Sequence, residues 1–114
     1  MLSKILKLFN FSSSIPSIST QELSEKLKKK SKDVVLLDVR TPEEFSAGHI
    51  SHAINTDVRS VDFGKKLRAL DKNKTYYVYC RSGMRSQQAC KIMTESGFKQ
   101  AINVKGGFLS WKNL

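Results

Sequence analysis

Residues 76–86 read YYVYCRSGMRS, and this stretch decides the fold class of the chain. Its first residues, Tyr76 to Tyr79, are the aromatic and β-branched types that favour a strand. A short polar loop follows, and the sequence predicts a helix that starts near Ser86 and ends by Gly97. A strand that leads directly into a helix is the repeating unit of α/β proteins.

The same alternation continues on both sides of this stretch. Further strands are predicted at 34–37, 53–55 and 101–104. Further helices are predicted at 19–30, 41–48 and 63–70, with a short one that holds Trp111, and the first two begin with capping boxes, Ser19 with Glu22 and Thr41 with Glu44. The sequence therefore predicts an α/β fold of one domain, with a mostly parallel central sheet and helices on both faces.

Size and composition limit the class of protein. With 114 residues, 39% of them hydrophobic and 26% charged, the chain has enough apolar surface for one folded domain. No apolar run reaches the length of about 18 to 20 residues that a transmembrane helix needs. Two cysteines cannot form the disulfide framework of a small secreted protein. Because no C-x-x-C motif occurs and both histidines are distant from the cysteines, we do not expect a four-ligand zinc site or another metal site. We expect no cofactor either.

Residues 1–18 are predicted to be an N-terminal extension, and residues 19–114 to be the domain. The segment 1–11 has an amphipathic helical pattern with one apolar face: Leu2, Ile5, Leu6 and Phe9. Serines and a proline in residues 12–17 then indicate a linker. Docking of the apolar face on this protein, on a partner or on a membrane surface stays open, and the membrane is the surface we expect least.

The net charge of +10 permits an acidic partner but does not predict nucleic-acid binding. Most of the basic residues are lysines, and the densest run is Lys28–Lys30, where lysines complement the dipole at the end of a helix. Arginines are not interleaved with aromatic residues as in single-strand binding proteins. Since Lys7 and Asn10 interrupt the apolar segment that a secretory signal would need, we expect a cytoplasmic protein.

Cys80 lies where the predicted strand enters the predicted helix, at the edge of the sheet where ligands of α/β proteins bind. Unpaired backbone N–H groups and the positive end of the helix dipole face such a position. Gly83 permits a tight curl of the loop, and Arg81 and Arg85 add two positive charges. We therefore predict an anion-binding loop around an ionised thiol.

The required stabilisation shows why several donors are needed. Lowering the pKa of a cysteine by about two units needs about 2.7 kcal/mol, whereas a helix dipole gives about 2 kcal/mol at most. The loop N–H groups and the arginines are expected to supply the rest. The hypothesis requires a thiol that is ionised and reachable from solvent, and the alternative is a buried, inert cysteine at the end of a strand.

Over residues 19–114, the sequence resembles the single-domain rhodaneses, a family of sulfurtransferases. The first segment of the resemblance comprises Leu37-Asp38-Val39-Arg40, Glu44-Phe45, Gly48-His49-Ile50 and Ala53-Ile54-Asn55. The second is the loop from Cys80 to Ser86, and the third is Val104-Lys105-Gly106-Gly107-Phe108 with Trp111. All three occur in the family's order with compatible spacing.

The resemblance implies that Cys80 takes a sulfane sulfur from thiosulfate or a similar small anionic donor and becomes a persulfide. The acceptor would then be cyanide in an assay, and a thiol or a protein cysteine in a cell. The substrate-binding residues would be those of the loop: Arg81, Ser82, Gly83, Met84, Arg85 and Ser86. Arg81 and Arg85 together would attract the donor or stabilise departing sulfite.

Two other functions stay open. The chain could be a persulfide carrier or a non-catalytic interaction module of the same fold. It could also be a phosphatase or arsenate reductase, but those enzymes place five residues between cysteine and arginine, whereas four separate Cys80 from Arg85. The shorter loop favours sulfur over phosphate.

Four other residues have structural interpretations that we prefer to functional ones. Cys90 is predicted to pack in the core, with a resolving thiol as the alternative. His49 is predicted to be structural, because attack by a preformed thiolate needs no base. Asp38 and Arg40 are expected to tie loops together at the carboxyl edge of the sheet, with Glu44 as the suggested partner of Arg40.

Overall fold

Five strands and five helices alternate along residues 15–114, the part of the chain that the computed structural model describes. The strands are β1 (Ser17–Ile18), β2 (Val34–Asp38), β3 (Ile54–Asn55), β4 (Thr75–Tyr79) and β5 (Gln100–Val104). The helices are α1 (Thr20–Lys28), α2 (Pro42–Ala47), α3 (Phe63–Arg68), α4 (Met84–Glu95) and α5 (Gly107–Lys112). None of these helices has the length and apolar character to cross a bilayer. The amphipathic helix predicted in residues 1–11 lies outside the described residues.

The strands form one sheet in the order β1-β5-β4-β2-β3, and every pairing is parallel. β4 lies at the centre, and Asp38 at the end of β2 is in register with Tyr79 at the end of β4. Since parallel strands share one carboxyl edge, the segments after β2, β4 and β5 converge there. The predicted α/β fold is confirmed, and the described sheet is wholly rather than mostly parallel.

Helices cover both faces of the sheet, as predicted. On one face, α3 and α4 contribute Phe63, Leu67, Ala89, Cys90 and Met93 to a core with Leu37, Tyr76 and Val78. On the other face, Leu23 of α1 packs with Leu36, Tyr77, Tyr79 and Val104, and Phe108 and Trp111 of α5 pack against that cluster. The apolar alternation of β2 and β4 therefore supplies both cores.

Two boundaries differ from the sequence predictions. Ser17, predicted to end a linker, begins β1, which the flanking hydrogen bonds from Asn103 N–H to the Pro16 carbonyl (2.8 Å) and from Lys105 N–H to the Ile18 carbonyl (2.8 Å) fix beside β5. A strand of two residues is too short to show a periodic pattern. In addition, α4 starts at Met84 rather than near Ser86, because Gly83 completes the turn in the left-handed region (φ 115°).

Arg40 is a buried link between loops at the carboxyl edge of the sheet. Its Nη2 lies 2.6 Å from an Asp38 carboxylate oxygen and donates to the Gly48 carbonyl at 2.8 Å. Its guanidinium also stacks over the ring of Phe108, 4.5 Å from the ring centre. The prediction that Arg40 ties loops is confirmed, but the suggested partner Glu44 was wrong. Asp38, two residues away, is held opposite Arg40 by the turn after β2.

Replacing Arg40 with leucine should lower the free energy of unfolding by about 3–5 kcal/mol, because Asp38 would keep a buried carboxylate without its cation. Urea denaturation monitored by circular dichroism measures this loss. The control is Lys28→Leu, which breaks the Lys28–Glu25 pair, whose side chains are 70% and 68% exposed. That change should cost less than about 1 kcal/mol, and equal losses in both variants would contradict the structural role of Arg40.

Candidate active site

The loop from Cys80 to Gly83 joins the central strand β4 to α4 and wraps around the sulfur of Cys80. The backbone N–H of Gly83 donates to Sγ at 3.0 Å, and the hydroxyl oxygen of Ser86 lies 3.3 Å from Sγ. Ser86 is buried in the first turn of α4, so one helix start presents both backbone and side-chain donors. The predicted donor-lined loop is present.

Cys80 is only 1% exposed, which differs from the reachable thiol that the sequence hypothesis requires. The loop closes over the sulfur because its N–H groups point inward to bind it. Burial alone would also fit the alternative of an inert cysteine. The choice between the two therefore depends on the electrostatics around the sulfur.

The pKa of Cys80 is lowered below the ordinary cysteine value. Burial is the largest single influence and opposes ionisation, but hydrogen bonds outweigh it: first the Ser86 hydroxyl, then the backbone N–H groups of Ser86, Gly83 and Ser82. The second cysteine gives an internal comparison, since burial raises the pKa of Cys90 to about 12. Of two buried thiols, only Cys80 has donors that favour its anion.

Cys90 lies in the apolar core on the α4 side of the sheet. Its raised pKa keeps the thiol protonated, and its burial removes it from solvent. These features support the predicted packing role, because a resolving thiol has to reach the thiolate form.

Arg85 does not point a free positive charge at the sulfur. Its two terminal nitrogens form a bidentate ion pair with Glu44, at 2.7 Å and 3.0 Å. Glu44 also accepts hydrogen bonds from the backbone N–H and hydroxyl of Thr41, which completes the capping box of α2. Arg85 therefore clamps the first turn of α4 to α2. The expectation that Arg81 and Arg85 together attract the donor stays a prediction.

The remaining loop residues face solvent. Arg81 and Ser82 are exposed, and Arg81 forms no ion pair with any described residue. Met84 is 80% exposed at the outer side of the loop. The loop thus has an inner surface of N–H groups around the sulfur and an outer surface with one free guanidinium.

The start of α5 supports the loop from below. The Cys80 carbonyl accepts from Phe108 N–H at 2.8 Å, and the Arg81 carbonyl accepts from Leu109 N–H at 3.1 Å. Gly107 makes this approach feasible, since a Cβ there would lie 2.4 Å from the Cys80 carbonyl oxygen. Gly107, in the third segment of the resemblance, therefore lets the backbone at the start of α5 hydrogen-bond to the cysteine loop.

Three residues near the loop had no role in the sequence hypothesis of the site: Glu44, Asn103 and Gly107. Asn103 on β5 is buried and lies 2.5 Å from the Ser86 hydroxyl through its Oδ1. A polar residue inside an apolar strand pattern was the available signal for Asn103. No local signal links Glu44 to Arg85, because 41 residues separate them.

His49 stands apart from the cysteine chemistry. Its Nδ1 donates to the Phe45 carbonyl at 2.8 Å, and its ring stacks on that of Phe45. No hydrogen bond joins it to Cys80. Within residues 15–114, no three histidine, cysteine, aspartate or glutamate side chains are grouped as metal ligands.

A parallel α/β domain whose central strand ends in a donor-lined cysteine loop defines the rhodanese-like class. The chain belongs to this family, since the family model for the rhodanese-like domain matches residues 19–114. The resemblance described from the sequence is thereby confirmed.

Individual proteins agree with this assignment. The chain is 43% identical over 98 residues to the putative sulfurtransferase YtwF of Bacillus subtilis (strain 168), covering 86% of this chain and 91% of that protein. It is 34% identical over 96 residues to the thiosulfate sulfurtransferase GlpE of Coxiella burnetii (strain RSA 331 / Henzerling II), covering 83% and 85%. The crystal structure of a rhodanese-like domain protein from Staphylococcus aureus superposes with a TM-score of 0.76 at 36% identity, covering 85% and 91%. The two sequence relatives are thus named as sulfurtransferases, and the solved structure is named as a rhodanese-like domain protein.

Replacing Gly107 with alanine should lower the free energy of unfolding by more than about 2 kcal/mol. The new Cβ would overlap the Cys80 carbonyl, and the left-handed backbone (φ 57°) adds strain. Gly64→Ala is the matched control, since its Cβ would meet only one atom at 4.0 Å. Urea denaturation of both variants measures the difference. A Gly107→Ala protein as stable as Gly64→Ala would contradict the close approach.

The Glu44–Arg85 ion pair should make stability depend on acid pH. The pKa of Glu44 is lowered to about 2 from 4.5, chiefly by the hydrogen bonds of Arg85. The folded-state pKa lies below the unfolded one. The contribution of the ion pair to the free energy of unfolding is therefore complete above pH 4.5 and is lost as the pH falls toward about 2. The measurement is the difference in free energy of unfolding between the native protein and Glu44→Gln across this range. A difference that stays constant with pH would refute the pairing.

Proposed function

We propose that this protein is a sulfurtransferase that carries sulfur on Cys80. The single observation behind the proposal is a buried sulfur that accepts from the Gly83 N–H at 3.0 Å and has the Ser86 hydroxyl at 3.3 Å. Such an arrangement favours an anion on that sulfur despite its burial. Membership of the rhodanese-like family and similarity to named sulfurtransferases support the same chemistry.

In the first half-reaction, the thiolate of Cys80 attacks the outer sulfur of thiosulfate or a similar donor. A new S–S bond forms, the S–S bond of the donor breaks, and sulfite leaves with the electron pair. The product is a Cys80 persulfide anion. No proton moves in this step, which explains why a general base is not needed.

In the second half-reaction, an acceptor attacks the terminal sulfur of the persulfide. Cyanide would thereby become thiocyanate, and a thiolate would become a persulfide. The bond between the two sulfurs on Cys80 breaks, and its electrons restore the thiolate. In the cell, the proposed acceptor is a thiol or a protein cysteine. We propose that the transfer takes place in the cytoplasm.

The loop donors would serve both anions in turn. The N–H groups of Ser82, Gly83 and Ser86 stabilise the thiolate and then the terminal sulfur of the persulfide. The exposed, unpaired guanidinium of Arg81 is the group we propose to attract the anionic donor. Arg85 would act by holding the loop in place through Glu44.

Because Cys80 is 1% exposed, a donor can contact Sγ only after the loop moves outward. Gly83, whose N–H binds the sulfur, has the backbone freedom for such a movement. We therefore propose that opening of the loop precedes attack. Closure afterwards would shield the persulfide from water.

Mass spectrometry of the intact protein after incubation with thiosulfate tests the proposal. The native protein should gain the mass of one sulfur atom, and cyanide should remove it with continuous formation of thiocyanate over many turnovers. Cys80→Ser should gain nothing, whereas Cys90→Ala should behave as the native protein does.

Three results would redirect the assignment. A sulfur gained equally by Cys80→Ser would show that Cys80 is not the carrier. Loading of Cys80 without turnover to cyanide or thiols would indicate a persulfide carrier. A stable phosphate or arsenate adduct would indicate the oxyanion enzymes of the same fold.

A further inference from the structure

Asn103 is a polar side chain within β5 that is 2% exposed. Its Oδ1 lies 2.5 Å from the hydroxyl oxygen of Ser86, which in turn lies 3.3 Å from Sγ of Cys80. The three residues come from β5, α4 and the end of β4, so the sheet itself aligns them. A buried amide costs free energy unless its hydrogen bonds are made, so its position needs an explanation.

The hydroxyl of Ser86 has one proton and three neighbours that could accept it. These are Oδ1 of Asn103 at 2.5 Å, the Gly83 carbonyl at 3.1 Å and Sγ of Cys80 at 3.3 Å. Only one of them can receive the proton at a time. The thiolate therefore competes with Asn103 and Gly83 for the proton that stabilises it.

The contact lengths give the direction of the bond when the thiol is neutral. A separation of 2.5 Å lies within the range of O–H···O bonds and below that of N–H···O bonds. Ser86 thus donates to Asn103, and its oxygen is free to accept the S–H of Cys80. This direction gives a partner to the S–H of Cys80, to the Ser86 hydroxyl and to Oδ1 of Asn103 while Cys80 is protonated.

When Cys80 releases its proton to solvent, the same direction no longer works. The sulfur anion needs a donor, so the Ser86 hydroxyl must turn from Oδ1 toward Sγ. Oδ1 would then lose its donor. A half-turn of the amide brings Nδ2 to the same place, where it donates to the Ser86 oxygen. Asparagine meets both conditions because it has an acceptor and a donor on one planar group.

We propose that Asn103 is a positioning residue that reverses, through Ser86, the direction of the hydrogen bonds reaching Cys80 as its sulfur becomes an anion. When Cys80 is neutral, its S–H donates to the Ser86 oxygen, and the Ser86 hydroxyl donates to Oδ1 of Asn103. When Cys80 is an anion, Nδ2–H of Asn103 donates to the Ser86 oxygen, and the Ser86 hydroxyl donates to the sulfur. This inference rests on the proposed role of Cys80 as the sulfur carrier, whose persulfide would be served by the anionic arrangement.

Other charges near the sulfur stay constant while this reversal occurs. Within residues 15–114, the titratable groups that interact electrostatically with Cys80 are Arg85 and Cys90, both on α4. Arg85 remains a cation through its pair with Glu44, and Cys90, with a pKa of about 12, remains neutral at physiological pH. A response of Asn103 to pH in the neutral range would therefore report on Cys80.

The first test uses the native chain and NMR of the Asn103 side-chain amide. The proposal predicts that its N–H signals move downfield with a midpoint equal to that of Cys80 ionisation, because Nδ2 gains an acceptor. In Ser86→Ala the movement should be lost. Amide signals that do not follow Cys80 ionisation would overturn the proposal.

The second test measures the pH midpoint of Cys80 alkylation by iodoacetamide, read at that residue by mass spectrometry. Asn103→Asp can only accept, so it keeps the hydroxyl turned from the sulfur and should raise the midpoint by about one to two pH units. In a protein that already carries Ser86→Ala, Asn103→Asp should raise the alkylation midpoint by a clearly smaller amount, because only the added negative charge then acts on Cys80. Equal shifts in the two backgrounds would overturn the proposal.

These readouts do not depend on sulfur transfer. If the amide follows Cys80 but thiosulfate never loads the protein, the proposed function fails while the hydrogen-bond reversal stands. If loading and turnover proceed while the amide signals stay fixed through Cys80 ionisation, the reversal fails while the function stands. The NMR test also remains available if Asn103→Asp does not fold.

Discussion

Solvation of one buried sulfur by protein donors is the constraint on which the rest of this structure depends. Removing a thiolate from water is costly, so its hydrogen bonds must be replaced one by one. Here the Gly83 N–H and the Ser86 hydroxyl lie within 3.0 and 3.3 Å of the Cys80 sulfur. The central strand, the left-handed glycine and the first turn of α4 each contribute to this arrangement. Gly107 completes it by letting the backbone of α5 approach the loop.

Ion pairs hold the loop, whereas neutral donors form the direct hydrogen bonds to the sulfur. Arg85 is neutralised by Glu44, and Arg40 is neutralised by Asp38 beneath the neighbouring loops. Positive charge is therefore used for rigidity, and neutral dipoles are used at the reactive atom. Dipoles fixed by the backbone need no reorganisation when charge forms on the sulfur. Arg81 is the exception, since its exposed guanidinium is available to an incoming anion.

Local patterns predicted most of the fold and the position of the reactive cysteine. Capping residues fixed the starts of α1 and α2, and the β-prone run before Cys80 marked the central strand. Contacts that depend on strand order were not predictable in this way. Glu44 reaches Arg85 and Asn103 reaches Ser86 only because the sheet places β2, β4 and β5 side by side. The closure of the loop over Cys80 was likewise missed, because sequence spacing carries no measure of side-chain exposure.

The titration of thiolate ultraviolet absorbance, compared between the native protein and Cys80→Ser, tests the central claim most directly. The native protein should show one thiolate appearing below the ordinary cysteine pKa of about 8.5. Cys80→Ser should show no such transition, because the remaining thiol, Cys90, has a pKa of about 12. A native protein whose absorbance first rises only above the ordinary cysteine pKa would show that the loop does not stabilise an anion on Cys80, and the claim would fail.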